Sequence, residues 1–186
     1  MARPRSFDHH AVVDAAMQAF WSGGVTGTSV DELLEATRLS RSSLYNSFGN
    51  REGLLQLAVE RYAIEQAAAI RKLFENKSLH EALTALFLDA ATGNNDGRGC
   101  LLVNAVAELH APQAEGADVV SDAFANLAAA FEQAIRQAAP QRDDSAALCV
   151  AAMAAIAGLR TMQRAALPLN LRRQAAQRLA AALAGT

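Results

Sequence analysis

The stretch Thr28-Ser29-Val30-Asp31-Glu32-Leu33-Leu34-Glu35-Ala36-Thr37-Arg38-Leu39-Ser40-Arg41-Ser42-Ser43-Leu44-Tyr45-Asn46-Ser47-Phe48 decides the fold. Ser29 with Glu32 reads as a capping box, opening a short helix over 29–36 with Val30, Leu33 and Leu34 behind it. A break follows at Thr37-Arg38. Ser40 is the next N-cap, and Leu44, Tyr45 and Phe48 give a helix over 40–47 its inner, anchoring face. Two short helices joined by about three residues have the length of a helix-turn-helix, whose second helix lies in a DNA major groove. Spacing alone leaves a second reading open. Short helix pairs with tight turns are common in helical proteins, and a polar face is often merely solvated.

The punctuation continues on both sides. Residues 8–22 carry Val13, Ala16, Met17 and Phe20 on one stripe, and Gly23-Gly24 closes that helix. From Asn50 a long helix is expected to about Asn76. Ser78 caps a helix through Leu79, Leu83, Leu86 and Phe87. After the polar loop from Thr92 to Gly99, a helix begins at Cys100 and ends before Pro112. Another runs from about Asp118 to Ala138, with Val119, Phe124, Leu127, Phe131 and Ile135 apolar, and Pro140 ends it. Asp143-Asp144-Ser145 start the next, which Pro168 breaks, and Asn170 caps the last.

Composition agrees. Of 186 residues, 43 are Ala against 4 Ile and 10 Val, and 52% are apolar. Alanine is the best helix former and branched residues favour strands, so an all-α protein of about nine helices is expected. No apolar run reaches the ~18 residues a membrane helix needs, so no span is expected. The start, Met1-Ala2-Arg3-Pro4-Arg5, lacks a following apolar segment of the secretory kind. Two cysteines, Cys100 and Cys149, are too few for a disulfide framework and lack metal-ligand spacing, which suggests a reducing cytoplasm. No cofactor or metal is expected. A di-iron bundle needs Glu-x-x-His pairs, and none occurs. Phosphate-loop, zinc-protease and serine-hydrolase motifs are also missing, which argues against an enzyme.

The net charge is −2. The first sixty residues hold five arginines (3, 5, 38, 41 and 51) against seven acids. The arginines gather at the N-terminal arm and around the second helix, whereas Asp31, Glu32 and Glu35 lie on the first, so a modest positive face is possible locally. The candidate DNA contacts are Ser40, Arg41, Ser42, Ser43, Tyr45, Asn46 and Ser47. Arg can bond guanine, Asn can bond adenine, and Ser can bond bases or phosphates. Thr28 and Ser29 sit at a helix N-terminus, where exposed amides favour phosphate. Arg51 is placed to hold the opposite DNA backbone.

Residues 12–55 resemble the DNA-binding region of the TetR family of transcriptional regulators. The matching positions are Ala16, Phe20, Gly24, Thr28-Ser29-Val30, Leu33, Ala36, Leu39-Ser40, Leu44-Tyr45, Phe48, Glu52 and Leu54-Leu55, without a gap. Gly99-Cys100-Leu101 to Glu108-Leu109 resembles a stretch found in one branch of that family. The resemblance implies a helix-turn-helix domain over 1–50 and a helical effector-binding and dimerisation domain over 51–186. It implies a homodimer on a double-stranded, palindromic DNA operator, with repression released by a small-molecule effector. The chain also departs from the family pattern. Arg38 stands where the family often has glycine in the turn, Arg41 and Arg51 replace the usual lysines, and Ser42 replaces a common glycine.

The last two helices suit a twofold partner, because small residues permit close helix approach. Candidate interface residues are Leu148, Ala152, Ala155, Ile156 and Leu159, then Leu171, Ala175, Leu179 and Leu183. The same faces would also serve as internal packing. An effector pocket is mostly apolar with a few polar groups. Its candidates are Tyr62, Gln66 and Phe87, then Asn104, Glu108 and Phe124, and Met153 and Gln163. Cys100, beside Arg98 at a helix start, is a candidate sensor thiol or else a small apolar side chain. Cys149 reads as core.

Overall fold

The computed structural model describes residues 7–93, 97–109, 114 and 116–185. Among these the chain forms nine α-helices and no strand. They are α1 (His9–Gly23), α2 (Val30–Thr37), α3 (Arg41–Phe48), α4 (Arg51–Phe74), α5 (Leu79–Thr92), α6 (Leu101–Glu108), α7 (Ala117–Ala138), α8 (Ser145–Arg164) and α9 (Leu169–Ala184). Arg3, Arg5 and Pro112 lie outside the described residues.

Local chemistry sets the boundaries. At α2 the Ser29 hydroxyl accepts from Glu32 N–H, and the Glu32 carboxylate accepts from Ser29 N–H at 2.7 Å, a complete capping box. Ser78 and Glu81 repeat the device at α5. Ser40 caps α3 by accepting from Ser43 N–H at 3.2 Å. Gly24 and Gly49 close α1 and α3 at φ 83° and 78°, where a side chain would be strained. Two helix starts lack a side-chain cap, for visible reasons. The Asp144 carboxylate is taken by Arg142, at 2.7 and 2.6 Å, and so does not cap α8. Asn170 lies inside α9, because Pro168 already holds the N-cap position.

The chain forms two compact units. The first holds residues 1–62 and 104–123, and the second holds 63–103 and 124–186. In the first unit, Val12, Ala16, Met17 and Phe20 of α1 are buried, as are Leu33, Leu44 and Phe48. Leu54, Leu55, Ala58, Val59 and Tyr62 of α4 join them. Each such large side chain contributes about 1.5–3 kcal/mol. Trp21 meets Tyr62 edge-on at 5.2 Å, and Arg61 pairs with Asp14 at 3.3 Å, so α4 is tied to α1.

The second unit is built around α5, which packs on both α8 and α9. Its core includes Phe74, Leu83, Phe87, Phe131, Ile135, Leu148, Cys149, Leu159, Ala176 and Ala180. Phe74 and Phe131 meet edge-on at 5.7 Å. In α7, Val120 and Ala123 are buried, while the expected Val119 and Phe124 are only half-buried. Among the described helices, α8 is long and apolar enough to cross a membrane, with a mean hydropathy of 1.6 over 18 residues. Alanine raises that average, and one side of α8 supplies Leu148, Cys149, Ala152 and Leu159 to the core of the second unit.

Ser78→Ala is expected to lower folding stability by about 1 kcal/mol, read as the midpoint of urea unfolding. The Ser78 hydroxyl and amide hold the Glu81 carboxyl below its ordinary value of 4.5. Its stabilisation is therefore complete above pH 4.5 and is lost as pH falls through the lower folded value. Glu81→Gln should be less stable than the parent at neutral pH and should converge with it in acid.

Candidate nucleic-acid interface

The second helix of the pair, α3, has only eight residues, too few to hold itself in water. Its caps and its buried side chains hold it. Leu44 is 0% exposed and Phe48 8%, four residues apart on one face. Every residue on the other side lies in solvent: Arg41, Ser42, Asn46 and Ser47 are exposed, and Tyr45 is 45% exposed. Tyr45 was expected to anchor the helix as well, but the burial falls on Leu44 and Phe48 alone. Ser43 is half-buried. The Ser40 hydroxyl lies 2.8 Å from that of Ser43 and 3.1 Å from that of Ser42. The outward face thus carries one guanidinium, one carboxamide, one phenol and a cluster of hydroxyls. Such groups can bond base edges and phosphates, with no bulky apolar side chain in the way.

The turn between α2 and α3 is compact. Arg38 adopts the left-handed conformation at φ 57°, ψ 24°, at a cost of roughly 1 kcal/mol for a residue with a side chain. Thr37 is buried and its hydroxyl donates to Leu33 O at 2.6 Å, which leaves the hydroxyl oxygen to accept from Leu39 N–H. Arg41 Nη2 lies 2.5 Å from Asp31 Oδ1 across the turn. Both side chains are well exposed, so the pair is weak and can open to a competing anion. Sequence reasoning passed over Asp31. Its signal is an acid ten positions before a basic residue, one on each arm of a tight turn.

Two expected DNA contacts are turned inward. Thr28 is 3% exposed, and its hydroxyl donates to Gly24 O at 2.7 Å. Arg51 donates from Nε to Thr28 O at 2.9 Å and from Nη2 to Val25 O. Its guanidinium carbon lies 5.2 Å above the Phe20 ring. These groups hold the loop before α2. Carbonyls there have no helical partner, and a guanidinium fork satisfies two at once. The Ser29 side chain is exposed but is engaged with Glu32.

The other candidate residues scatter. Tyr62, Asn104 and Glu108 lie in the first unit, whereas Gln66, Phe87, Cys100, Phe124, Met153 and Gln163 lie in the second. Tyr62 and Phe87 are core, at 2% and 0% exposed. Gln163 Nε2 donates to Gly93 O at the end of α5. The Glu108 carboxylate accepts from Thr26 N–H at 3.0 Å. Gln66, Cys100, Asn104, Phe124 and Met153 are half-buried. A cavity of about 280 Å³ in the second unit is lined by Arg71, Phe74, Glu75, Lys77 and Gln137 among others, none of them an expected effector residue. Cys149 is core, and burial followed by the Glu132 charge pushes its thiol up to about 11.

Of the expected interface residues, Leu148, Ala152 and Leu159 are corrected. They are 3%, 0% and 4% exposed because that face of α8 packs within its own chain. Ala155, Ile156, Leu179 and Leu183 are half-buried beside the same core. Leu171 and Ala175 are exposed. Val150, Met162 and Leu169 are exposed too, at 69%, 43% and 43%.

Comparison with known proteins places this arrangement. Residues 12–58 match the sequence model of the tetR family of bacterial regulatory proteins. The chain is 39% identical over 108 residues to the HTH-type transcriptional repressor ComR of Escherichia coli (strain K12), covering 55% of this chain and 51% of ComR. It is 30% identical over 112 residues to the uncharacterized HTH-type transcriptional regulator YezE of Bacillus subtilis (strain 168), covering 58% of each. The matches thus span a little over half the length of these curated relatives. A solved structure of a cysteine mutant of the TetR family transcriptional regulator CifR, complexed with 26-bp double-strand operator DNA, superposes with a TM-score of 0.80. It is 26% identical and covers 97% of this chain and 99% of CifR. Residues 12–58 thus carry the N-terminal sequence pattern of the tetR family, and the chain shares the fold of a TetR family regulator.

Arg51→Ala is expected to destabilise the first unit by about 2 kcal/mol, since two backbone carbonyls lose a charged donor. Arg51→Lys should recover little of that, because an ammonium cannot reproduce the fork. Thermal unfolding of the two variants checks both.

Proposed function

We propose that the protein is a cytoplasmic DNA-binding transcriptional regulator, a repressor without enzymatic activity, that works as a homodimer on a palindromic operator. The observation that carries this reading is the division of α3, with Leu44 and Phe48 buried and Arg41, Ser42, Tyr45, Asn46 and Ser47 outward. Each protomer would lay that face in a major groove, with the two half-sites about 34 Å apart. Ser29, Ser40 and Ser43 flank the face and suit phosphate contacts. Two relatives support the reading. CifR is solved on operator DNA, and ComR is named a repressor.

Homodimer formation would use the apolar side chains that α8 and α9 leave in solvent, with Val150 on one and Leu171 on the other. Release by a small-molecule effector requires that the effector bind two arrangements unequally, a coupling of about 1–3 kcal/mol. The 24-residue helix α4 contributes to both compact units and is the natural carrier of such a difference.

Selection of binding sites from random duplexes with the purified protein should yield an inverted repeat. Tyr45→Ala should bind the selected duplex more weakly while keeping its helix content. Arg41→Ala and Asn46→Ala should change which bases are preferred, each at a cost of about 1–3 kcal/mol at the affected position. Recovery of no common sequence by a folded dimer would refute the proposal.

A further inference from the structure

The loop from Gly24 to Ser29 joins α1 to the helix pair, and it is gripped with opposite polarity from two sides. From α4, the Arg51 guanidinium takes the carbonyls of Val25 and Thr28. From α6, the Glu108 carboxylate takes the other kind of group. Its Oε2 accepts from Thr26 N–H at 3.0 Å and from the Thr26 hydroxyl at 3.3 Å, although 82 positions separate the two residues. A carboxylate on a backbone amide is a charge-assisted bond, stronger than one between neutral groups. The loop is shaped to admit it. A Cβ on Gly24 would lie 2.9 Å from both Glu108 oxygens, and Gly24 also sits at φ 83°. Any other residue there would displace the carboxylate and strain the backbone.

A second tie lies nearby in the same unit. Gly116 N–H donates to Glu52 Oε1 at 3.1 Å, and a Cβ on Gly116 would lie 2.8 Å from Leu55 Cδ2. Glu108 and Gly116 are thereby both tied to residues 1–62, each time by a carboxylate on a backbone amide at or beside a glycine of positive φ.

We propose that Glu108 is a positioning residue for DNA binding: through Thr26 it fixes the loop that sets where α2 begins, and so where α3 presents its outward face. The inference rests on the DNA-binding reading above and adds a regulatory point to it. The Leu101 end of α6 belongs to the second unit and its Glu108 end to the first. A shift of this one helix therefore makes or breaks the Thr26 bonds. With the bonds broken, the loop keeps its Arg51 contacts but loses its outer restraint, and α3 samples poses that no longer match the groove.

The test compares full-length protein, Glu108→Ala and Glu108→Gln by two measurements. The first is affinity for the duplex that the parent protein selects from a random pool. The second is hydrogen exchange of peptides spanning 24–29 without DNA. Glu108→Ala should bind at least tenfold more weakly, uniformly across single-base variants of the duplex, and should exchange faster in the loop while the protein stays folded. Glu108→Gln, which keeps one acceptor for Thr26 N–H, should recover most of both. Unchanged DNA affinity in a folded Glu108→Ala protein overturns the proposal, as does weaker binding without faster loop exchange. If Glu108→Ala does not fold, Glu108→Gln decides alone. A two- to fivefold loss with faster loop exchange supports the positioning role, and no change in either overturns it. If the parent selects no duplex, the DNA-binding reading fails, while loop exchange still reports whether Glu108 restrains Thr26.

Discussion

The burial of Leu44 and Phe48 is the constraint on which the functional face depends. An eight-residue helix gains too little from its own hydrogen bonds to persist, so its orientation is whatever its buried side chains dictate. With those two side chains inside the first unit, the 3.6-residue period leaves Arg41, Ser42, Tyr45, Asn46 and Ser47 no choice but solvent. The chemistry of the face follows from packing beneath it. The apolar positions specify where the helix points, and the polar ones are free to specify what it reads.

Electrostatics organises the support in the same economical way. In the first unit, one cation and two carboxylates act on backbone or loop groups that secondary structure leaves unpaired. Arg51 satisfies carbonyls, and Glu52 and Glu108 satisfy amides. The second unit uses the same logic at helix ends. Arg142 holds Asp144 and donates to the Leu183 and Ala184 carbonyls at 3.3 Å, while Arg172 donates to the Ala91 carbonyl at the end of α5. Apart from the Arg142–Asp144 pair, these charges act on backbone groups rather than on one another across a bare surface, where they would contribute little. They neutralise the dipoles of helix termini and loops.

How much of this was legible in the sequence depends on range. The capping box at Ser29, the cap at Ser78, the closing glycines and the Arg38 turn are local, and the sequence shows them within a residue or two. The apolar stripe of α1 was legible too, apart from Val12 taking the inner place expected of Val13. Arg51 and Glu108 were not. Their partners lie 23 to 82 positions away, and a charged side chain near a reading helix looks the same whether it meets phosphate or carbonyl. The faces of α8 were unreadable for a different reason. Alanine covers that helix on most sides, so period alone does not separate buried Leu148 from exposed Val150, two residues on.

Methylation interference on the selected duplex tests the central claim most directly. A methyl on guanine N7 blocks the major groove and leaves the minor groove open. Two interfering clusters on one face of the duplex, about one helical turn apart, are what a pair of α3 helices must produce. Interference confined to adenine N3 in the minor groove, or a single unrepeated cluster, would contradict the account.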